Sequence, residues 1–150
     1  MKVSTKGRYA LRLLIDLAQH QNDGFISLKE LAERQNISKK YLEQIVPALT
    51  RAEILKTNRG FQGGYQLAQP ANLITVGAIL KLTEGSFAAV PCVEQTACDR
   101  AATCPTFPIW KGLHAVISEY LNGISLQDVL DQQPNFSDPT QNIDWWDYCI

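Results

Sequence analysis

The sequence predicts a mainly helical fold with one small β-hairpin, and three observations support this prediction. Apolar residues recur at helical spacing in several segments, most of which follow a serine or threonine that can cap a helix. Residues 54–67 differ, with two β-type runs around a glycine-rich turn. The chain has 150 residues, of which 45% are hydrophobic and 19% charged. This composition excludes a disordered chain and can bury one compact core.

Two helices are predicted in the first 36 residues. Ser4 or Thr5 can cap the first helix. Its apolar face is formed by Ala10, Leu13, Leu14, Leu17 and Ala18. Ser27 and Glu30 have the spacing of a capping box, in which each side chain accepts a hydrogen bond from an unpaired backbone amide. A second, short helix is therefore expected to end near residues 35–36.

The third predicted helix carries the most information about function. Ser38 can cap it, and a buried stripe is predicted at Leu42, Ile45, Val46 and Leu49. The outward face then presents Lys40, Glu43 and Gln44, flanked by Lys39 and Tyr41. Two short helices with such a polar face on the second are typical of a helix-turn-helix, whose second helix enters the DNA major groove. An ordinary helical pair with a solvated face is the alternative. Pro47 predicts a kink or an early end of this helix.

The next segment favours the helix-turn-helix. Residues 54–57 and 65–67 are predicted strands, and residues 58–64 form a glycine-rich turn. A hairpin directly after a helix-turn-helix is called a wing. Gly60, Gly63 and Gly64 permit close approach to a phosphate backbone, and Arg59 can enter a narrow minor groove. The predicted fold is therefore a winged helix-turn-helix.

The second half of the chain predicts a further helix from Thr75 to Gly85 and a long helix after Pro108. The long helix has an apolar stripe at Ile109, Leu113, Val116, Ile117 and Tyr120, which suits packing on a partner helix or on this chain's own core. Ser125 can cap a last short helix. The expected organisation is a DNA-binding domain (1–84), a cysteine-containing sensor loop (85–107), a dimerisation helix with a short following helix (108–133) and a C-terminal tail (134–150).

The net charge of −1 conceals two unlike halves. Residues 1–66 contain eleven Lys and Arg against six Asp and Glu, a net charge of +5, whereas residues 67–150 have a net charge of −6. Such asymmetry favours nucleic-acid binding by the basic half. No apolar run is long enough to span a membrane, and the first residues lack the pattern of a signal peptide, so a cytoplasmic protein is expected.

Four cysteines lie in the acidic half: Cys92, Cys98, Cys104 and Cys149. In a reducing cytosol such a cluster indicates metal or redox chemistry more often than a disulfide framework. The first three are spaced six positions apart, so their thiolates could surround one metal centre. The spacing is not the CxxC of a structural zinc site, and thiolates suit iron and sulfide.

Four motifs together resemble one family. They are Lys6-Gly7-Arg8-Tyr9-Ala10, Tyr41-Leu42-Glu43-Gln44, Arg59-Gly60 with Gly63-Gly64-Tyr65, and Cys92-x5-Cys98-x5-Cys104. In this order they resemble the winged-helix transcription regulators of the IscR/NsrR type, the Rrf-two family, over residues 1 to about 130. The resemblance implies a homodimer that binds a pseudo-palindromic operator. It also implies control by an iron–sulfur cluster (2Fe-2S or 4Fe-4S) on Cys92, Cys98 and Cys104, or by a protein partner.

The fourth cluster ligand is left open by two departures from the family. Phe107 stands where the IscR branch has a histidine, and Arg8 stands at the position corresponding to the aspartate of the nitric-oxide-sensing branch; neither side chain can bind iron. His114, His20, a carboxylate of Glu94 or Asp99, a water or small thiol, or a residue of a second subunit could complete the site.

The DNA contacts are expected from the basic half of the chain. Lysines and arginines would bind phosphates, whereas the outward face of the third helix would read bases. The predicted DNA-binding residues are Lys6, Arg8, Ser38, Lys39, Lys40, Tyr41, Glu43, Gln44, Arg59, Gly60, Gly63 and Gly64.

A second hypothesis involves no cluster. The regulator would then control sulfur or cysteine metabolism through thiol oxidation, or through O-acetylserine sulfhydrylase bound to the tail. The last four residues resemble the C-terminal peptide by which serine acetyltransferase enters that enzyme, and the CymR branch of the family has a similar end; Tyr148 and Ile150 are the predicted contacts. An enzyme is disfavoured, because neither a phosphate loop nor an evident Cys/His pair is present.

Overall fold

A computed structural model of the chain describes residues 2–60, 63–94 and 98–131. Within these ranges the chain is mainly helical with one two-stranded antiparallel hairpin, which confirms the predicted fold class. The elements are α1 (Thr5–Gln19), α2 (Leu28–Gln35), α3 (Lys39–Arg51), β1 (Leu55–Asn58), β2 (Gly64–Leu67), α4 (Val76–Glu84), α5 (Phe107–Asn122) and α6 (Leu126–Asp131), with single 3-10 turns at Ala71–Leu73 and Pro91–Val93.

The predicted helix starts are confirmed by their caps. The hydroxyls of Ser4, Ser27 and Ser38 each accept a hydrogen bond from the amide three residues later, at the starts of α1, α2 and α3. Asn36 ends α2 in the left-handed conformation, with φ of 51°. Only two residues, Ile37 and Ser38, then separate Asn36 from α3, so α2 and α3 form the tight pair that a helix-turn-helix requires.

The core lies between α1, α2, α3 and the hairpin. Its fully buried side chains include Leu13, Leu14, Leu17, Leu31, Leu42, Ile45 and Leu49. Each such leucine contributes about 1.5–3 kcal/mol of burial free energy. The stripe predicted on α3 is therefore its buried face, and the predicted polar face is left on the outside.

Pro47 lies inside α3, and the helix continues to Arg51. Of the two predicted effects of Pro47, the early end does not occur, and the kink stays a prediction. Pro47 itself is exposed, while Ile45, Val46 and Leu49 around it are buried in the core. We attribute the continuity to this packing, which outweighs the loss of one amide donor.

The hairpin is held against the helix-turn-helix by a third segment. The backbones of Ile26 and Tyr65 exchange two hydrogen bonds of 3.0 and 2.8 Å, alongside the β1–β2 register in which Leu55 pairs with Leu67. A Cβ at Gly64 would collide with the backbone of Ile26. Gly64 is therefore required for close packing of the wing on the domain.

The second half of the chain returns to this core through α6. Leu126 is fully buried, and its amide donates to the carbonyl of Ile74 at 2.9 Å. By contrast, α5 contributes no buried residue. In the part of the chain that the structure describes, no helix has both the length and the apolar character needed to span a membrane.

Candidate nucleic-acid interface and cysteine loop

The N-terminal half of α3 presents an exposed polar surface. Ser38, Lys39, Lys40, Glu43 and Gln44 are all exposed. Lys39 Nζ lies 3.7 Å from Glu43 Oε1. A pair so open to solvent contributes little to stability. Both side chains are therefore available to exchange this contact for one with DNA.

The fold brings α3 and the wing together around one open cavity of about 630 Å³. Lys39 and Glu43 line it from α3, and Arg59, Gly60, Gly63 and Gly64 line it from the wing. Lys39 and Glu43 therefore share one concave surface with the predicted wing residues, although about twenty positions separate them along the chain. The other predicted residues of this helix, Ser38, Lys40, Tyr41 and Gln44, do not line it.

Two cations of this surface were not among the predicted residues. Lys29, at the start of α2, and Arg51, at the end of α3, also line the cavity and are exposed. Lys29 is part of the capping-box segment, and Arg51 closes the last turn of α3. Their charge was visible in the sequence, but only the packing of three elements places them beside Arg59.

The start of α1 lies next to the start of α3. The rings of Tyr9 and Tyr41 meet edge to face, with centroids 5.3 Å apart, and the Arg12 guanidinium lies 5.6 Å from the Tyr9 centroid. Tyr41 is half-buried by this contact. Lys6 and Arg8, within one turn of Tyr9, are consequently carried close to the N-terminal end of α3.

The cysteine loop (residues 85–107) places its three cysteines as half-buried free thiols. Among the described residues, no three Cys, His, Asp or Glu side chains converge on a metal-binding position. Three cysteine thiols are the right type of ligand for an iron–sulfur cluster, because thiolates are its usual ligands. The conformation described here does not bring them together.

The two histidines differ as candidate fourth ligands. His20 Nδ1 lies 2.8 Å from the backbone carbonyl of Asp16, so this nitrogen already has a partner. In α5, His114 Nδ1 is buried and has no hydrogen-bond partner within the described part of the chain. Within the described residues, His114 therefore offers a buried ring nitrogen that no hydrogen bond occupies.

Cys104 has the most distinctive environment of the three thiols. Its Sγ lies 3.3 Å from the hydroxyl of Thr106. Hydrogen bonds from the side chain and backbone of Thr106, and from the backbone of Phe107, lower the pKa of Cys104. Arg100 borders the same small cavity of about 210 Å³. These features favour the reactive thiolate form.

Tyr148, Cys149 and Ile150 lie outside the described residues.

Comparison with known proteins identifies the family. The profile of the Rrf2 family, described as an iron-dependent transcriptional regulator, matches residues 3–132. The chain belongs to the Rrf2 family. The protein is 37% identical to the transcriptional regulator IscR of Sodalis glossinidius, over 90% of this chain and 87% of that protein.

Solved structures agree with this assignment. CymR of Bacillus subtilis, described as a global cysteine regulator, is 34% identical with a TM-score of 0.73, covering 87% of this chain and 97% of that chain. IscR of T. potens is 38% identical with a TM-score of 0.72, and the match covers 89% of this chain and 88% of that chain. The chain is thus a DNA-binding transcription regulator and not an enzyme.

Proposed function

We propose that this Rrf2 protein is a cytoplasmic homodimer that binds an operator through two winged helix-turn-helix units and changes its affinity through the cysteine loop. The observation that supports DNA binding most strongly is the concave surface between α3 and the wing. Lys29, Lys39, Arg51 and Arg59 border it together with one carboxylate, Glu43. A cationic concavity of this kind suits the DNA backbone.

Each part of the surface has a proposed role. Lys40 donates to guanine, Glu43 accepts from cytosine and Gln44 pairs with adenine, which are the pairings that the major groove favours. Arg59 enters the minor groove. Phosphates are bound by Lys6, Arg8, Ser38, Lys39, Tyr41 and the backbone around Gly60, Gly63 and Gly64.

The proposed dimer contact is the apolar face of α5. Ile109, Val116 and Tyr120 are 62%, 66% and 52% exposed, and Leu113 is 41% exposed. An apolar stripe this open is costly in water and suits a second copy of the same helix.

We expect Val116→Glu to shift the protein from dimer to monomer in analytical ultracentrifugation. Ala102→Glu, in the cysteine loop away from this stripe, is the control; a dimer that persists in Val116→Glu contradicts the assignment.

For the signal, we propose an iron–sulfur cluster (2Fe-2S or 4Fe-4S) held by Cys92, Cys98 and Cys104. The donor type, the family description and the IscR relatives support this proposal. A bound cluster would supply a redox-sensitive centre in the loop. His114, whose Nδ1 has no partner within the described residues, is the candidate fourth ligand.

The test measures binding to DNA from upstream of the protein's own coding region. Reduced apo-protein, protein reconstituted anaerobically with iron and sulfide, and protein oxidised with diamide are compared by electrophoretic shift. We expect stoichiometric iron and sulfide and a different affinity after reconstitution, both abolished in Cys98→Ser. Failure to bind iron and sulfide eliminates the cluster, and absence of any shift eliminates DNA binding.

A second candidate signal is oxidation of the thiols themselves. It is favoured by Cys104, whose sulfur contacts Thr106 and has a lowered pKa. In this case diamide alone changes the DNA affinity, and Cys104→Ser abolishes the change while iron and sulfide have no effect. This pattern of responses distinguishes the thiol signal from the cluster.

We also propose that a protein partner regulates this protein, and this proposal is based on the sequence of the tail alone. Tyr148 and Ile150 would enter the active site of O-acetylserine sulfhydrylase. Isothermal calorimetry with that enzyme tests this; deletion of Ile150 should abolish the heat of binding. An intact chain that gives no heat contradicts the partner.

A further inference from the structure

A carboxylate at the start of the cysteine loop is bonded to the start of α1. Glu84 is the last residue of α4, directly before Gly85, where the loop begins. Its Oε1 accepts a hydrogen bond from the hydroxyl of Ser4 at 2.7 Å, and its Oε2 lies 3.3 Å from the Ser4 amide. Ser4 is the N-cap of α1 and accepts from the Gly7 amide. One side chain therefore connects two elements that are 80 residues apart.

Gly7 makes this contact possible. It is buried, and a Cβ added to it would collide with Glu84 Oε1 and would lie 3.1 Å from Leu80 Cδ2 and 3.2 Å from Thr83 Oγ1. A side chain at this position would push the Glu84 carboxylate aside, so glycine leaves room for the contact between Glu84 and Ser4. Gly7 thus has a structural reason to stand between Lys6 and Arg8.

The contact also has a favourable charge arrangement. The N-terminus of α1 carries the partial positive charge of the helix dipole, and no acidic residue lies in its own first turn. Glu84 supplies the missing negative charge from another helix. A displacement of Glu84 would therefore remove both a hydrogen-bonding partner of Ser4 and the electrostatic cap of α1.

The first turns of α1 belong to the candidate DNA interface. Lys6 and Arg8 lie there, and Tyr9, in the next turn, contacts Tyr41 of α3 with ring centroids 5.3 Å apart. Hydrogen bonds thus join Glu84 to Ser4 and Ser4 to the amides of Gly7 and Arg8, and the backbone of α1 leads on to Tyr9, which contacts α3. Energetic coupling between two sites requires an element whose equilibrium both sites influence, and this contact can serve as one.

We infer that Glu84 is a positioning residue that transmits the state of the cysteine loop to α1 and α3. This inference rests on the proposed function, because it assumes that the loop controls DNA affinity. In the state of the loop described here, Glu84 holds the first turn of α1. When the loop changes state, Gly85 and Glu84 move with it, and the phosphate-binding residues of α1 lose their fixed position.

The test measures the ratio of operator Kd values between the reduced apo-protein and the protein with its loop loaded with iron and sulfide or oxidised with diamide. For wild-type protein we expect a ratio within the range of about 5–150 that is usual for allosteric coupling. Glu84→Gln keeps the shape but removes the charge, and Gly7→Ala displaces the carboxylate from the other side. Both should bring the ratio to within about twofold of one.

Two further variants separate transmission from a merely structural role. Lys81→Gln removes a charge from the exposed side of the same helix and should keep the wild-type ratio. Gly7→Ala combined with Glu84→Asp shortens the carboxylate, which makes room for the new Cβ, and should restore part of the coupling. Thermal unfolding of every variant records its stability separately.

The outcomes are distinguishable. Suppose that the ratio of operator Kd values is above five in wild type and unchanged in Glu84→Gln. This result overturns the inference, even if the variant is less stable, and it leaves the proposed function intact. A wild-type ratio of one under both treatments refutes control by the loop, and this inference with it. Loss of coupling in both single variants together with its recovery in the double variant supports transmission through Glu84.

Discussion

At the scale of single residues, Asp16 on α1 is a buried carboxylate whose side chain is only 2% exposed. Its carboxylate accepts hydrogen bonds from Arg34 on α2 and from Gln35 Nε2, the latter at 2.6 Å. The hydrogen bond from Arg34 to Asp16 raises the pKa of the arginine. This cluster fixes α2 against α1, and α3 packs on these two helices.

Removing the cation should therefore be costly. We predict that Arg34→Met lowers the free energy of unfolding by about 3 kcal/mol, because it leaves a buried carboxylate without its charged partner. Asp16→Leu combined with Arg34→Met should regain part of the loss, since no charge then stays buried. Urea unfolding of the three proteins provides the measurement; a double variant as unstable as Arg34→Met contradicts the interpretation.

A second residue-scale prediction concerns pH. The hydroxyl and amide of Ser125 donate to Asp128 Oδ2 at 2.6 and 2.8 Å, and these bonds hold the pKa of Asp128 below its ordinary value of 3.8. The carboxylate therefore stabilises the fold above that pH, and its contribution is lost as the pH falls through the lowered pKa. We expect Asp128→Asn to be less stable than wild type at pH 7.

The difference in the free energy of unfolding between wild type and Asp128→Asn should shrink progressively below about pH 4, where Asp128 of the unfolded wild type becomes protonated. Urea unfolding at several pH values between 3 and 7 would measure it. A difference that stays constant down to pH 3 would show that the Ser125 bonds do not depend on the charge of Asp128.

At the scale of elements, the structure shows how the wing is positioned. The bridge between Ile26 and Tyr65 joins the hairpin to the segment before α2, and Gly64 allows the close approach. The wing is therefore held next to α3 by backbone contacts. Arg59 is exposed on this wing, so we expect its side chain to contribute little to the stability of the fold.

We predict that Arg59→Ala weakens operator binding by about 1–3 kcal/mol, the usual effect of losing one arginine contact to DNA. Its melting temperature should stay at the wild-type value, because Arg59 is exposed. Lys56→Ala is the matched control, since Lys56 lies on the same hairpin over the ring of Phe25 and does not line the cavity with α3. Fluorescence anisotropy would compare the affinities; an equal loss in both variants contradicts a specific role for Arg59.

At the scale of the whole molecule, the charges are divided between two halves. Net charges of +5 and −6 lie in residues 1–66 and 67–150. The cations around the α3–wing cavity all come from the first half. Binding should therefore depend steeply on salt, since each phosphate that a cation neutralises releases counterions.

We predict that Lys39→Gln reduces the slope of log Kobs against log salt by about 0.9 for each subunit bound, because one phosphate contact is lost. Lys111→Gln, in the acidic half, should leave the slope unchanged. Anisotropy titrations between 50 and 200 mM salt would measure both slopes. Equal slopes for the two variants would show that Lys39 contacts no phosphate.

The elements that sequence reasoning predicted well are those governed by local rules. Ser27, Ser38 and either Ser4 or Thr5 were identified as caps because capping depends on neighbouring amides. The structure shows Ser4, Ser27 and Ser38 accepting the expected hydrogen bonds. The buried stripe of α3 followed from its periodicity. The continuation of α3 beyond Pro47 has the opposite origin, because core packing, which is not local, outweighs the local effect of the proline.

By itself, the sequence determined the helical class, the hairpin, the polar face of α3 and the uneven charge, since each follows from short-range spacing and composition. Only the tertiary structure decided that Lys29 and Arg51 stand beside Arg59, that Asp16 joins α1 to α2 and that Glu84 reaches Ser4. These contacts join residues distant in sequence, and no local pattern encodes them. Their geometry is set when the apolar faces pack into one core, because that packing fixes which polar side chains meet.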